Sequence, residues 1–206
     1  MVKLKVCGIT TISDALTAVD CGATYLGFNF YQKSPRYITP EKTREIIGQL
    51  PPNVVTVGVF VNEPSPQDVV DILRISNTRI AQLHGDEPPE YCFRVGAERV
   101  IKALRIKENF DVKNLLNYQA YAILLDAFDV QLYGGTGKPA NWAVAHEATK
   151  LTKVFLAGGL SPDNIAQAIK VVNPYAVDVN SGVESSPGRK DHKKLFKLKE
   201  QIERLG

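Results

Sequence analysis

The sequence predicts an α/β fold, a single-domain (β/α)8 barrel with eight parallel strands over residues 1–206. Three observations carry that expectation. Short β-rich runs alternate with segments of helical spacing, chemically capable side chains gather where those runs end, and the last two runs both stop at glycine. The runs are 3–7 (KLKVC), 25–30 (YLGFNF), 54–60 (VVTVGVF), 79–83 (RIAQL), 99–104 (RVIKAL), 121–125 (YAILL), 153–157 (KVFLA) and 175–179 (YAVDV).

Between them, apolar residues three and four apart mark helix faces. Ile12, Ala15, Leu16 and Val19 make one; Val69, Ile72 and Leu73 a second; Ile165, Ala168, Ile169 and Val172 a third. Thr39-Pro40-Glu41 and Ser161-Pro162-Asp163 each set a capping residue before a proline at the first helical position. Strand–helix–strand repetition implies parallel pairing with right-handed crossovers. Eight such units favour closure into a barrel over an open doubly wound sheet, and no G-x-G-x-x-G follows the first run. No linker or change of composition divides the chain.

Charged residues make up 23% and hydrophobic residues 44% of the 206, with a net charge of +3. That composition argues against disorder and against a nucleic-acid partner, which calls for a basic stripe with interleaved aromatics. The basic run from Arg189 to Lys199, with Leu195, Phe196 and Leu198 inside it, is expected to be the solvated face of a last helix. No stretch approaches the roughly 18 apolar residues of a membrane span. The start, MVKLKVCGIT, lacks a signal-peptide core. A soluble, cytoplasmic protein without a membrane partner is expected, as a monomer or a homodimer. Cys7, Cys21 and Cys92 form no CxxC, so neither zinc nor a disulfide framework is expected. Cys21 and Cys92 fall in helical segments and read as small buried apolar residues.

Active sites of such barrels lie at the C-terminal ends of the strands. The first run ends in Cys7-Gly8, and the second leads to Asn29 and Lys33-Ser34-Pro35-Arg36. The third leads to Asn62, the fourth to His84-Gly85-Asp86 and the sixth to Asp126. The seventh ends in Gly158-Gly159, and the eighth carries Asp178, Asn180, Ser181 and Gly182. Loops after strands seven and eight often hold phosphate, because glycine lets main-chain N–H groups approach an anion without a Cβ in the way. A carboxylate closing the apolar run YAILL must be paired, hydrogen-bonded or working at a site. His84 reads equally as a loop histidine with a local hydrogen bond. YGGTGK at 133–138 lacks the P-loop spacing and reads as a flexible loop beside the site.

The stretches KVCGIT, GFNFYQKSPRYI, VGVFVN, QLHGDE, LLDA, YGGTGK, FLAGGL and DVNSGVE with PGRKD resemble the phosphoribosylanthranilate isomerase family, in order and over nearly the whole chain. Asn180 stands where that family more often has serine. The resemblance implies an enzyme of tryptophan biosynthesis that performs an Amadori rearrangement on a phosphorylated small molecule, with no cofactor and no metal. By motif, Cys7 is implied as general base and Asp126 as general acid. Arg36, His84 and Asp178 are implied at the substrate, and the main chain at Gly158, Gly159, Ser181 and Gly182 at its phosphate.

The residue types suit that chemistry. Opening the furanose requires a proton on the ring oxygen, and a carboxylic acid in a partly apolar mouth can stay protonated near neutral pH. The resulting Schiff base acidifies the C2 proton for a thiolate to remove. Alternation puts Lys3, Lys5 and Cys7 on one face, with Lys5 about 6–7 Å below the thiol. A buried ammonium needs a partner. Asp178 is the expected one, in a pair that would favour the Cys7 thiolate; another acid or a bottom-layer carbonyl is the alternative. Two other readings are the related histidine-pathway aminoaldose isomerase, which should carry aspartate at the first strand end, and a barrel that binds a phosphometabolite without turning it over.

Overall fold

Short apolar runs rich in β-branched and aromatic residues suit parallel strands buried on both faces, and the eight runs become strands. The computed structural model describes residues 2–106, 110–126 and 140–205. Its barrel strands are β1 (Lys3–Val6), β2 (Ala23–Asn29), β3 (Val55–Phe60), β4 (Ile80–Leu83), β5 (Val100–Arg105), β6 (Ala122–Asp126), β7 (Val154–Ala157) and β8 (Ala176–Val179). Each pairs in parallel with the next, and β1 pairs with β8 from Lys3 opposite Ala176 to Val6 opposite Val179. The sheet is therefore a closed eight-stranded barrel.

Helices α1 (Ile12–Asp20), α2 (Pro40–Ile47), α3 (Pro66–Ser76), α4 (Pro89–Gly96), α5 (Ala140–Thr149), α6 (Ile165–Val172) and α7 (His192–Glu203) surround it. Their starts are capped as polar residues at those positions should be. Thr11, Thr39 and Asp191 each accept the N–H three residues on, and Ser65 forms a reciprocal capping box with Asp68.

Four details differ from the sequence expectation. The crossover between β5 and β6 is a 3-10 helix, Val112–Asn117, entered through Asp111, whose side chain accepts from the Lys113 N–H at 2.9 Å. Aspartate and asparagine there offer the backbone local bonds that compete with an α-helix. Helix α6 starts at Ile165 rather than beside Pro162. Asn164 draws the preceding loop into a turn, accepting from Ser161 N–H at 2.9 Å and donating to Gly159 O at 3.0 Å. On α1 the buried stripe is Ala15 and Ala18 with Asp14, and Leu16 is 40% exposed. The small residues let the helix lie close to the barrel. Finally, β8 is followed by a short antiparallel hairpin, β9 (Glu184–Ser186) and β10 (Arg189–Lys190).

The core has two parts. One buried cluster fills the space between barrel and helices, including Leu26, Phe28, Phe60, Leu83, Leu195 and Leu198. The other fills the lumen with Val57, Ile80, Ile101, Leu124 and Phe155, as alternate strand residues of a small barrel must. At the N-terminal end the hydroxyls of Tyr25, Tyr121 and Tyr175 converge at 2.9–3.4 Å, and Lys3 Nζ donates to Tyr175 at 2.7 Å. That floor closes the lumen below and leaves the C-terminal rim as its open end. Beside the rim, buried Lys102 bonds Glu87 at 2.6 Å and Gly85 O at 2.7 Å. Glu87 in turn accepts the Asn62 N–H at 2.8 Å, fixing the loops after β3 and β4. No helix among the described residues is long and apolar enough to cross a membrane.

Candidate active site

The strand phase that fills the lumen continues to the rim, and there it delivers polar groups. Cys7 from the end of β1, His84 after β4 and Asp126 from the end of β6 line one cavity of about 370 Å³. Gly158, Gly159, Asp178, Ser181 and Gly182 line the same cavity. Two larger concavities on this rim, about 510 and 530 Å³, lie towards β2–β3 and β4–β5 and contain neither the thiol nor the paired glycines.

Beneath the thiol, Lys5 Nζ bonds Asp178 Oδ2 at 2.7 Å, and both side chains are buried. The expected pair is therefore present. Its pull on Cys7 runs in the expected direction, towards the thiolate, and is outweighed by burial. Burial pushes the thiol above its ordinary range; Lys5 and Lys190 pull it down, but Asp178 opposes them. Asp178 offsets part of the Lys5 pull, and Lys5 also hydrogen-bonds the sulfur.

Asp178 Oδ1 and Gln82 Oε1 are buried acceptors without a partner among the described residues, and both residues line the cavity. Gln82 Nε2 lies 2.8 Å from His84 Nδ1. Burial, then the nearby Lys5, lowers the His84 pKa, so the ring is neutral at pH 7. The His84 ring, Gln82 and Asp178 line the wall, with the two oxygens buried behind its surface.

Arg36 does not line this cavity. Its Nη2 bonds Glu184 Oε2 at 2.6 Å and its Nε reaches both carboxylate oxygens at 3.0 and 3.1 Å. Glu184 Oε1 also accepts from Lys190 Nζ at 2.8 Å. Lys190, expected on a solvated helix face, instead lies on β10 with a side chain 0% exposed. The fold, not the charge run, decides this: the hairpin turns it back under the rim before α7 begins.

The glycine ends have distinct causes. Gly158 and Gly159 hold φ of 100° and 62°, a conformation that side chains disfavour and that turns successive N–H groups to one side. At Gly182 a Cβ would collide with the Leu160 carbonyl, so the loops after β7 and β8 touch only because it is absent. YGGTGK at 133–138 lies outside the described residues.

Residues 4–201 match the family model for N-(5'-phosphoribosyl)anthranilate isomerase. The chain belongs to that family. An N-(5'-phosphoribosyl)anthranilate isomerase of Trichlorobacter lovleyi is 52% identical over 196 residues, covering 95% of each chain. The phosphoribosyl anthranilate isomerase of Thermotoga maritima superposes with a TM-score of 0.88 at 45% identity, over 100% of both chains. A phosphoribosyl anthranilate isomerase crystallised with reduced 1-(o-carboxyphenylamino)-1-deoxyribulose 5-phosphate gives 0.86 at 43% identity, again over 100% of both.

Sequence reading missed Gln82, Glu184 and Lys190. Gln82 carried a usable signal, since a polar residue in lumen phase two positions before His84 must find a use. Glu184 and Lys190 lie in the stretches DVNSGVE and PGRKD, but their roles were hidden: Arg36 is 148 residues from Glu184, and Lys190 meets Glu184 only through the fold of the hairpin.

Proposed function

We propose that the chain catalyses the Amadori rearrangement of N-(5-phosphoribosyl)anthranilate to 1-(2-carboxyphenylamino)-1-deoxyribulose 5-phosphate in tryptophan biosynthesis. Family membership supports the reaction. The observation that carries the site is one cavity lined by the Cys7 thiol, the Asp126 carboxyl and the glycine ends of β7 and β8.

The amides of Gly158, Gly159, Ser181 and Gly182 take the phosphate, which sets the sugar across the lumen mouth. Asp126 protonates the furanose oxygen while the anthranilate nitrogen supplies electrons to C1. The ring opens to a cationic Schiff base, and Cys7 removes the C2 proton. The enolamine then tautomerises to the ketone. Gln82, His84 and Asp178 hydrogen-bond the sugar hydroxyls. Arg36 offers its remaining nitrogen, Nη1, to the anthranilate carboxylate. The chain works as a monomer or a homodimer.

General acid–base groups contribute about 10²–10⁴-fold each. Loss of anthranilate-adduct fluorescence follows turnover directly. Purified protein should turn the substrate over, and Cys7→Ala and Asp126→Asn should each fall by at least about 100-fold. Turnover near the parent level in either variant, with chemistry limiting the rate, removes that residue from the mechanism.

A further inference from the structure

Beside Cys7, two cations share one carboxylate. Glu184 binds Arg36 through Nε and Nη2 and Lys190 through Nζ. Among the described residues Lys190 Nζ donates to Glu184 Oε1 at 2.8 Å, Asn180 Oδ1 at 3.1 Å and Asn180 O at 3.4 Å, and Glu184 opposes the lowering of its pKa by burial and by Arg36. Three acceptors around one nitrogen are what an ammonium with three protons requires, not a neutral amine. The Lys190 N–H donates to Asp14 Oδ2 at 3.2 Å, and Asp14 Oδ1 lies 2.9 Å from His192 Nε2. The hairpin is thereby fixed to α1 and to the start of α7.

This cluster closes over Gly8, the residue that follows Cys7. A Cβ at Gly8 would lie 2.7 Å from Asn180 Oδ1 and 2.8 Å from Arg36 Cδ. Lys190 holds the first of these neighbours and Glu184 the second.

The charges facing the thiol can be counted among the described residues. Lys5 on β1 outweighs Asp178 on β8 at the sulfur, which it also hydrogen-bonds. Arg36 and Lys190 carry two positive charges against one on Glu184. His84 is neutral, and Asp126 stands at another part of the cavity wall. One positive charge is left over on the Arg36–Lys190 side.

We propose that Glu184 and Lys190 are positioning residues for the isomerisation: the shared carboxylate fixes Arg36, and the Lys190 ammonium adds to Lys5 the positive charge that helps Cys7 give up its proton. The proposal rests on Cys7 being the base. Lys190 and Lys5 both act to lower the thiol pKa against burial, as this requires.

The test is the pH midpoint for alkylation of Cys7 by iodoacetamide in the full chain without substrate, read by mass spectrometry of the Cys7 peptide, alongside kcat and KM. Lys190→Met should raise the midpoint by about one pH unit and lower kcat more than it changes KM. Lys190→Arg should return the midpoint towards the parent value. Glu184→Gln should lower the midpoint by about one unit and raise KM, because Arg36 loses its anchor. Opposite signs are the mark of charge, since loosened packing would move both variants alike. Midpoints that shift together, or stay put, overturn the proposal. If Lys190→Met does not fold, Glu184→Gln decides alone, and a midpoint unchanged or raised overturns it. Failure of the parent reading looks different: Cys7→Ala would then keep its turnover while the opposite midpoint shifts persisted.

Discussion

A buried thiol is a poor base unless its surroundings lower the cost of the thiolate, and Cys7 has both help and hindrance within reach. The Lys5–Asp178 pair beneath it is first a structural device: two buried charges that tolerate burial only together. Removing one partner, as in Asp178→Asn or Lys5→Met, should cost about 3–5 kcal/mol in urea unfolding; a loss below about 1 kcal/mol would mean that water already shares the site. Glu184 gives a pH signature. Burial alone would push its carboxyl up, but Arg36 and Lys190 hold it below the ordinary range. A depressed carboxylate stabilises the fold above its unfolded pKa, and that contribution is lost as pH falls through the folded value. Stability of the parent protein should therefore fall more steeply below about pH 4.3 than that of Glu184→Gln. Equal slopes in acid titrations of unfolding would contradict the pairing. The pair at Lys5 was legible in the sequence because strand alternation fixes which residues share a face. The pair at Glu184 was not, because it depends on how a hairpin folds back across the rim.

At the scale of elements, the strands were legible from short β-rich runs; of the two helix starts read, Thr39 ahead of Pro40 caps α2, while α6 begins at Ile165, beyond Ser161-Pro162. The fifth crossover was not legible, since Val112, Leu115 and Leu116 imitate helical spacing while Asp111 and Asn114 favour turns. The joined ends of β7 and β8 make a prediction at this scale. Gly182→Ala must push the loop away from Leu160, so the phosphate grip loosens and KM should rise about tenfold or more, equivalent to about 1.4 kcal/mol of binding. An unchanged KM would place the phosphate elsewhere. The other end of the barrel makes a second. Burial would raise the Tyr175 pKa, but hydrogen bonds from Lys3, Tyr121 and Tyr25 bring it down to about 8. Absorbance at 295 nm should show one tyrosine of the folded protein ionising near pH 8, and Tyr175→Phe or Lys3→Met should abolish that step. A titration with every tyrosine near or above pH 10 would refute the arrangement.

Over the whole molecule, closure of the barrel is what makes a site from residues scattered along the chain. Cys7 and Asp126 stand at the ends of β1 and β6, and only the pairing of β1 with β8 brings their strands around one lumen. The sequence showed the rim because each run ends in the same direction. It did not show the cavity wall, since the oxygens of Gln82 and Asp178 that have no partner among the described residues are a property of packing. The central claim is that thiol and carboxyl confront one sugar whose phosphate is held by the last two strands. A crystal structure of this chain with the reduced ketose phosphate tests it most directly. The account predicts phosphate oxygens within about 3 Å of the amide nitrogens of Gly159 and Gly182, with Cys7 Sγ and the Asp126 carboxyl on different sides of the same sugar chain. A phosphate bound away from those amides, or a sugar reached by only one of the two side chains, would contradict it.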